Sequence, residues 1–329
     1  MSSITISSPT RVDLAGGTLD LWPLYCLTGG ATTVNLAIDI RTHATVEDCD
    51  QIILSSADLG ETKAYPNLQA VLNDADPKWR LLQLVLKQIQ PQGNFKLTTR
   101  SESPVGGGLG GSSSLMISIL KAFEKRQGKT ARSVHQLVHL AHNLEAEILN
   151  TPTGTQDYYP AASGGVNILT YSGDGIHQEV LPLKNTPFET RFLLVHTGRS
   201  HHSGLNNFEV LKSAVGKDTQ VLKALHSLKE VALEMAQAVK HQDWQALAPL
   251  FRREYASRIQ LTPAFTCPEI EALDRISREA GADAIKICGA GGGGCVMVWC
   301  PEGARETISQ ACRKAGFPTL NAGPVAPIS

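Results

Sequence analysis

"SPVGGGLGGSSSL", Ser103 to Leu115, sets five glycines and three consecutive serines between a polar, strand-like stretch and an apolar, helix-like one. Consecutive glycines let backbone N–H groups converge with no Cβ in the way, and the first turn of a following helix adds unpaired N–H groups and partial positive charge. Such a loop suits a phosphate; the competing reading is a loop that only lets two elements pack closely. The adjacent hydroxyls of Ser112, Ser113 and Ser114 favour phosphate with a metal ion, because a hydroxyl oxygen can ligate Mg²⁺. Two familiar phosphate loops do not fit. Gly106, Gly108 and Gly111 satisfy GxGxxG, but the preceding strand is polar and no acidic residue ends a second strand about 20 residues on. A Walker loop needs Lys after its last glycine, and Gly111 is followed by Ser112.

Upstream, "TTVNLAIDIRTHATVE" alternates through Val34, Leu36, Ile38 and Ile40, the pattern of a half-buried antiparallel sheet. "WRLLQLVLKQI" predicts a helix and "NFKLTTRSE" a strand. Downstream, "SLMISILKAFEKRQG" predicts a helix closed by Gly128. A second helix opens at Ser133, spaced from Gln136 as in a capping box, with Leu137, Leu140, Leu144 and Ile148 on one face. "TPTGTQDYYPAASGG" breaks that helix, and "LPLKNTP" (181–187) is the linker candidate. Beyond it, strands and helices order as an α+β unit whose sheet carries helices on one side. The second glycine run, Gly289 to Gly294, lies between two strands. Its four consecutive glycines exceed what a hairpin needs, which suggests close approach to a ligand or to the first loop, although a permissive turn competes.

The whole chain limits the function. Its 329 residues allow two domains with a cleft between them. Thirty basic against thirty-one acidic side chains give a net charge of −1, so no global field draws it to nucleic acid or an anionic membrane. The seven cysteines form no CxxC pair or even framework, and read as buried thiols in a reducing compartment. With no leader-like N-terminus and no run of about 18 apolar residues, the expectation is a cytoplasmic protein.

Three motifs in order resemble those of the GHMP kinases, the group of galacto-, homoserine, mevalonate and phosphomevalonate kinases. They are "SPTRVDLAGGTLDL", "PVGGGLGGSSSL" and "KICGAGGGGCVMV". Within the family, "DLAGGTLDLWPLYCLTGGATTVNLAID" is most similar to the sugar kinases acting on heptose phosphate or fucose. The resemblance implies an α+β fold of two domains, a ribosomal-protein-S5-like one over residues 1–183 and a ferredoxin-like one over 184–329, with the active site between them. It implies ATP and Mg²⁺, and phosphoryl transfer to a hydroxyl of a sugar or sugar phosphate. Oligomeric state is not readable.

By the same resemblance Asp157 is the catalytic base and Arg11 the basic residue at the transferring oxygen. A helix N-cap competes for Asp157 and a surface salt bridge for Arg11. Pro104, Gly106, Gly107, Gly108, Leu109, Gly110, Gly111, Ser112, Ser113 and Ser114 would hold the nucleotide. Ser112 and Glu145 would hold the metal, although Gly111 stands where the family usually has serine, and helical geometry alone does not separate Glu145 from Glu147. Asp20, with Gly17 and Thr18, would meet sugar hydroxyls, a carboxylate accepting from two adjacent ones; a capping Asp competes. Gly291 and Gly292 belong to the substrate side. Arg199, His201 and His202 in "HTGRSHHSG" would meet a phosphate already on the substrate, against a solvated loop; histidines alone do not make a zinc site. A mevalonate-type acceptor, or an ATP- and sugar-binding regulator without turnover, are the alternatives.

Overall fold

A computed structural model describes residues 3–184, 186–200 and 203–328. The N-terminal half runs β1 (Ser3–Ala15), α1 (Leu24–Leu27), β2 (Ala31–Asp48), β3 (Ile52–Ser56), β4 (Glu61–Tyr65), α2 (Leu68–Leu72), α3 (Arg80–Ile89), β5 (Phe95–Ser101), α4 (Gly111–Arg126), α5 (Val134–Leu149), α6 (Tyr158–Ser163), β6 (Val166–Ser172) and β7 (Gly175–Leu181). The C-terminal half runs α7 (Phe188–Arg191), β8 (Phe192–His196), α8 (Ser203–Val215), α9 (Thr219–Lys240), α10 (Leu247–Arg258), α11 (Pro268–Glu279), β9 (Ala284–Ile287), β10 (Cys295–Trp299), α12 (Arg305–Lys314) and β11 (Thr319–Leu320).

Strands β1 to β7 make one sheet in the order β4-β3-β5-β2-β6-β7, with β1 paired to β2. The alternation across Val34 to Ile40 becomes an antiparallel ladder, from Ser3 opposite Glu47 to Ala15 opposite Val34. Its second half is half-buried as the pattern predicts, but residues 31–38 are buried throughout. There α9 of the other half lies over the strand, seating Val231 and Met235 against Val34 and Leu36. Ser133 caps α5 with the full reciprocal box, and Leu137 and Leu144 are buried beneath it.

The second sheet has the order β11-β8-β10-β9. Helices cover both of its faces, not one. Leu193, Val195, Val296 and Val298 meet Ile270, Leu273 and Ile308 of α11 and α12, whereas Phe192, Leu194, Met297 and Trp299 meet Phe251 and Met235 of α10 and α9. The uninterrupted apolar runs "FLLV" and "CVMVW" are the sequence form of a strand buried on both faces. Helix α8 (Ser203–Val215) has no counterpart among the elements expected from the sequence.

The core containing Phe192, Met297 and Trp299 also contains Val12, Leu14 and Leu36, so the halves share apolar packing and do not merely touch. The chain's last described segment returns to the first half: the Gly165 N–H donates to Val325 O (2.8 Å) and the Val325 N–H to Ala37 O (2.9 Å). Among the described residues, no helix is long and apolar enough to cross a membrane.

Candidate active site

The glycine stretch leads from β5 into α4, whose first residue is Gly111. Gly110 caps the helix with φ +71°, and a side chain there would come within 3.1 Å of the Asp157 carboxylate. Glycine therefore serves both the left-handed turn and the close approach. The second run packs against the first: Gly289, at φ +67°, leaves 3.0 Å between a would-be Cβ and the Gly108 backbone, and the Cys295 N–H donates to Gly107 O at 2.8 Å. Together they wall a cleft of about 440 Å³ lined by Pro104, Gly106 to Ser113, Arg11, Glu145 and Asp157. Ser114 is not among its walls. Its hydroxyl is spent on Ser8 O (3.1 Å) and Thr42 Oγ1 (2.8 Å) inside the sheet, and its N–H on Gly110 O.

Arg11 on β1 is almost wholly buried and reaches across to the loop before α6. Its Nε and Nη2 lie 2.8 and 2.6 Å from Asp157 Oδ1, and its Nη1 donates to Gly108 O at 2.5 Å. Burial alone would lower the guanidinium pKa; the charges of Asp157 and Asp13 outweigh it and raise the value. Asp157 stands at the N-cap position of α6, yet its side chain makes no capping bond. Oδ1 is held by Arg11, while Oδ2 makes no hydrogen bond among the described residues. A carboxylate with one oxygen fixed and the other turned to the glycine loop has the geometry that suits general-base chemistry.

Three helices converge on Glu145. It accepts from Ser112 Oγ (2.6 Å) and Ser113 Oγ (2.9 Å) at the start of α4, and from the Tyr158 hydroxyl at the start of α6. Glu147 points away, half exposed beside Arg80. Among the described residues no group of three or more His, Cys, Asp or Glu could hold a metal ion. One carboxylate with neighbouring hydroxyls nevertheless fits Mg²⁺, which keeps waters and takes phosphate oxygens from its substrate.

Asp20 lies buried beside the loop that carries Asp157. Its Oδ2 accepts the N–H of Gln156, the residue before Asp157, at 3.0 Å, and its Oδ1 is buried without a partner among the described residues. It caps nothing, since α1 begins after Pro23. Burial, more than the nearby charges of Asp157 and Asp13, lifts its pKa to about 6, against the opposing pull of the Gln156 N–H.

The family model described as GHMP kinases N terminal domain matches residues 78–165, and that described as GHMP kinases C terminal matches 235–317. The chain belongs to the GHMP kinases. As a GHMP kinase it uses ATP as phosphate donor, and its relatives are phosphotransferases acting on alcohols. It is 28% identical to the D-glycero-alpha-D-manno-heptose 7-phosphate kinase of Campylobacter jejuni, over 95% of this chain and 94% of that one. It is 23% identical to the galactokinase of Pyrococcus furiosus, covering 94% and 93%. A solved D-glycero-D-manno-heptose 1-phosphate kinase from Bacteroides thetaiotaomicron superposes with a TM-score of 0.78 at 23% identity, covering 99% of this chain and 97% of that one.

The remaining expected residues of this GHMP kinase scatter more widely. Gly291 and Gly292 pack on the turn at Ala264 and Phe265, and the Gly292 N–H donates to Phe265 O at 3.1 Å. Arg199 is about half exposed, 3.5 Å from Glu269. His201 and His202 lie outside the described residues. Sequence reasoning missed Tyr158, whose phenol is pushed well above its ordinary pKa by burial and by Glu145, and so remains a donor. It also missed Asp13, Glu254, Arg258 and Lys286, wholly buried charges drawn from β1, α10 and β9. A charged residue inside an apolar run, as Lys286 is in "AIKIC", is the one sign of them the sequence offers.

Proposed function

We propose that this chain transfers the γ-phosphoryl group of ATP to a hydroxyl of a seven-carbon sugar phosphate. The observation that carries the chemistry is Asp157, gripped through Oδ1 by Arg11 and set against Gly110 of the cradle. The acceptor class is supported by the relative of 28% identity over 95% of the chain and by the buried, half-partnered Asp20, bonded to the residue before Asp157.

ATP phosphates lie along Gly106 to Ser113, met by backbone N–H groups and the start of α4. The acceptor oxygen attacks the γ-phosphorus in line with the departing ADP oxygen; its proton passes to Asp157 Oδ2 as the bond from phosphorus to the bridging oxygen breaks. Arg11 fixes the base and places a permanent positive charge where negative charge spreads. Glu145 and Ser112 are the residues that would hold Mg²⁺, which when bound supplies charge against the β- and γ-phosphate oxygens. Tyr158 and Ser113 keep the Glu145 carboxylate turned toward the cleft. Asp20, with Gly17 and Thr18, receives acceptor hydroxyls, and Arg199 the phosphate the acceptor already carries. The setting is the cytoplasm.

The test is ADP release from ATP and Mg²⁺ with D-glycero-D-manno-heptose 7-phosphate, fucose, galactose and mevalonate as acceptors. The expected result is a kcat/KM for the heptose phosphate at least tenfold above the others. Preference for an unphosphorylated sugar or for mevalonate would overturn the acceptor class.

A further inference from the structure

Four charged side chains, each with no exposed surface, meet between the two halves of the molecule. Asp13 Oδ2 lies 3.0 Å from Lys286 Nζ and 3.3 Å from Arg258 Nη2. Glu254 Oε1 lies 2.6 Å from Arg258 Nη2 and 3.3 Å from Lys286 Nζ. Two acids and two bases cancel, so the group is buried without net charge. Neutrality alone would make it a structural fastening. What sets it apart is where the rest of Arg258 goes.

The guanidinium has donors beyond those the acids take. Nη2 also donates to Gly17 O at 3.1 Å and Nη1 to Thr18 Oγ1 at 3.4 Å. Thr18 itself sits at φ +79°, a region β-branched residues rarely enter. Its hydroxyl donates on to Asn207 Oδ1 at 3.0 Å. Beneath the turn, a side chain at Gly17 would come within 2.3 Å of Asp13 Oδ2 and 2.9 Å of Gln156 Nε2. The turn leading to Asp20 is thus held in a strained form by a fork anchored on the other half of the chain. Backbone strain of this kind persists only when its surroundings over-determine it, and clusters at sites where geometry matters.

We propose that Arg258, 240 residues downstream of Thr18, is the positioning residue that holds the Gly16–Asp20 turn in its acceptor-binding form, with Asp13, Glu254 and Lys286 as its fixed counter-charges. Arg258 does not touch the reacting atoms. It acts through the turn, so its loss falls on the acceptor and spares the nucleotide. The proposal rests on the reading of Asp20, Gly17 and Thr18 as the acceptor side.

Two variants test it. Arg258→Lys keeps the charge but loses the fork; Arg258→Met with Glu254→Gln removes one charge of each sign and leaves Asp13 and Lys286 paired. Hydrogen exchange of the free protein and kinetics with D-glycero-D-manno-heptose 7-phosphate are measured on both. The expected result is faster exchange, by at least tenfold, in the peptide spanning residues 14–22, with that spanning 104–116 unchanged. KM for the heptose phosphate rises at least tenfold, while KM for ATP moves less than threefold. Equal protection of the turn in wild type and in whichever variant folds, or KM values for both substrates that rise together, would overturn the proposal. If wild-type protein does not turn over the heptose phosphate, the acceptor reading fails by itself, and the exchange comparison still decides whether Arg258 holds the turn.

Discussion

At the scale of single residues, the site holds its charges in unlike surroundings. Arg11 is buried but paired, whereas Asp20 is buried with one oxygen satisfied and one bare. For Asp20 the folded pKa of about 6 exceeds the value of about 4 expected of a free carboxyl. A raised acid binds its proton more tightly when folded. Its cost is therefore absent below about pH 4, grows as pH climbs, and is complete above about pH 6. Asp20→Asn is expected to stabilise the free protein at pH 7.5 by on the order of 2 kcal/mol, with the gap narrowing below about pH 6 and closing near about pH 4 in denaturant titrations. A gap independent of pH would contradict the burial of a charged Asp20. The same variant is expected to lose acceptor affinity, as groups placed for function at the expense of stability do.

At the scale of elements, two glycine loops from opposite halves of the chain pack against each other. Gly289 packs against Gly108 where the first loop turns and itself lines the cleft, so the second loop shapes the first from beside it. Gly289→Ala puts a side chain on a left-handed residue and within 3.0 Å of the Gly108 backbone. The expected outcome is a loss of more than about 1 kcal/mol of stability and an ATP Kd raised several-fold by calorimetry. An unchanged ATP Kd would mean that the two loops are mechanically independent.

This level was also where the sequence was most and least readable. The cradle, Arg11 and Asp157 lie in contiguous motifs whose residue types suit the chemistry, and their spacing on the page survives folding. Glu145 is distinguished from Glu147 only by which neighbour turns toward Ser112 and Ser113, a fact of helix rotation that the stripe of leucines left open. Ser114 reads like its neighbours in sequence but falls on the face of α4 that packs on the sheet. Arg258 and Glu254 sit one helical turn apart on α10, but Asp13 and Lys286 are brought to them by tertiary contact alone.

At the scale of the whole molecule, the shared core and the buried charges make the two halves one frame. In the proposed mechanism the N-terminal half supplies the phosphate loop, the base and the acceptor turn; the C-terminal half packs on that loop through Gly289 and bonds the turn through Arg258. A frame built this way could bind ATP and a sugar without reacting them, so the distinguishing measurement is one that separates turnover from binding. Asp157→Ala, assayed for ADP release with heptose 7-phosphate and titrated with ATP and Mg²⁺ by calorimetry, does so. The account predicts turnover lowered by roughly 10² to 10⁴, the span of a general base, with the ATP Kd within about threefold of wild type. Wild-type turnover in Asp157→Ala would contradict it.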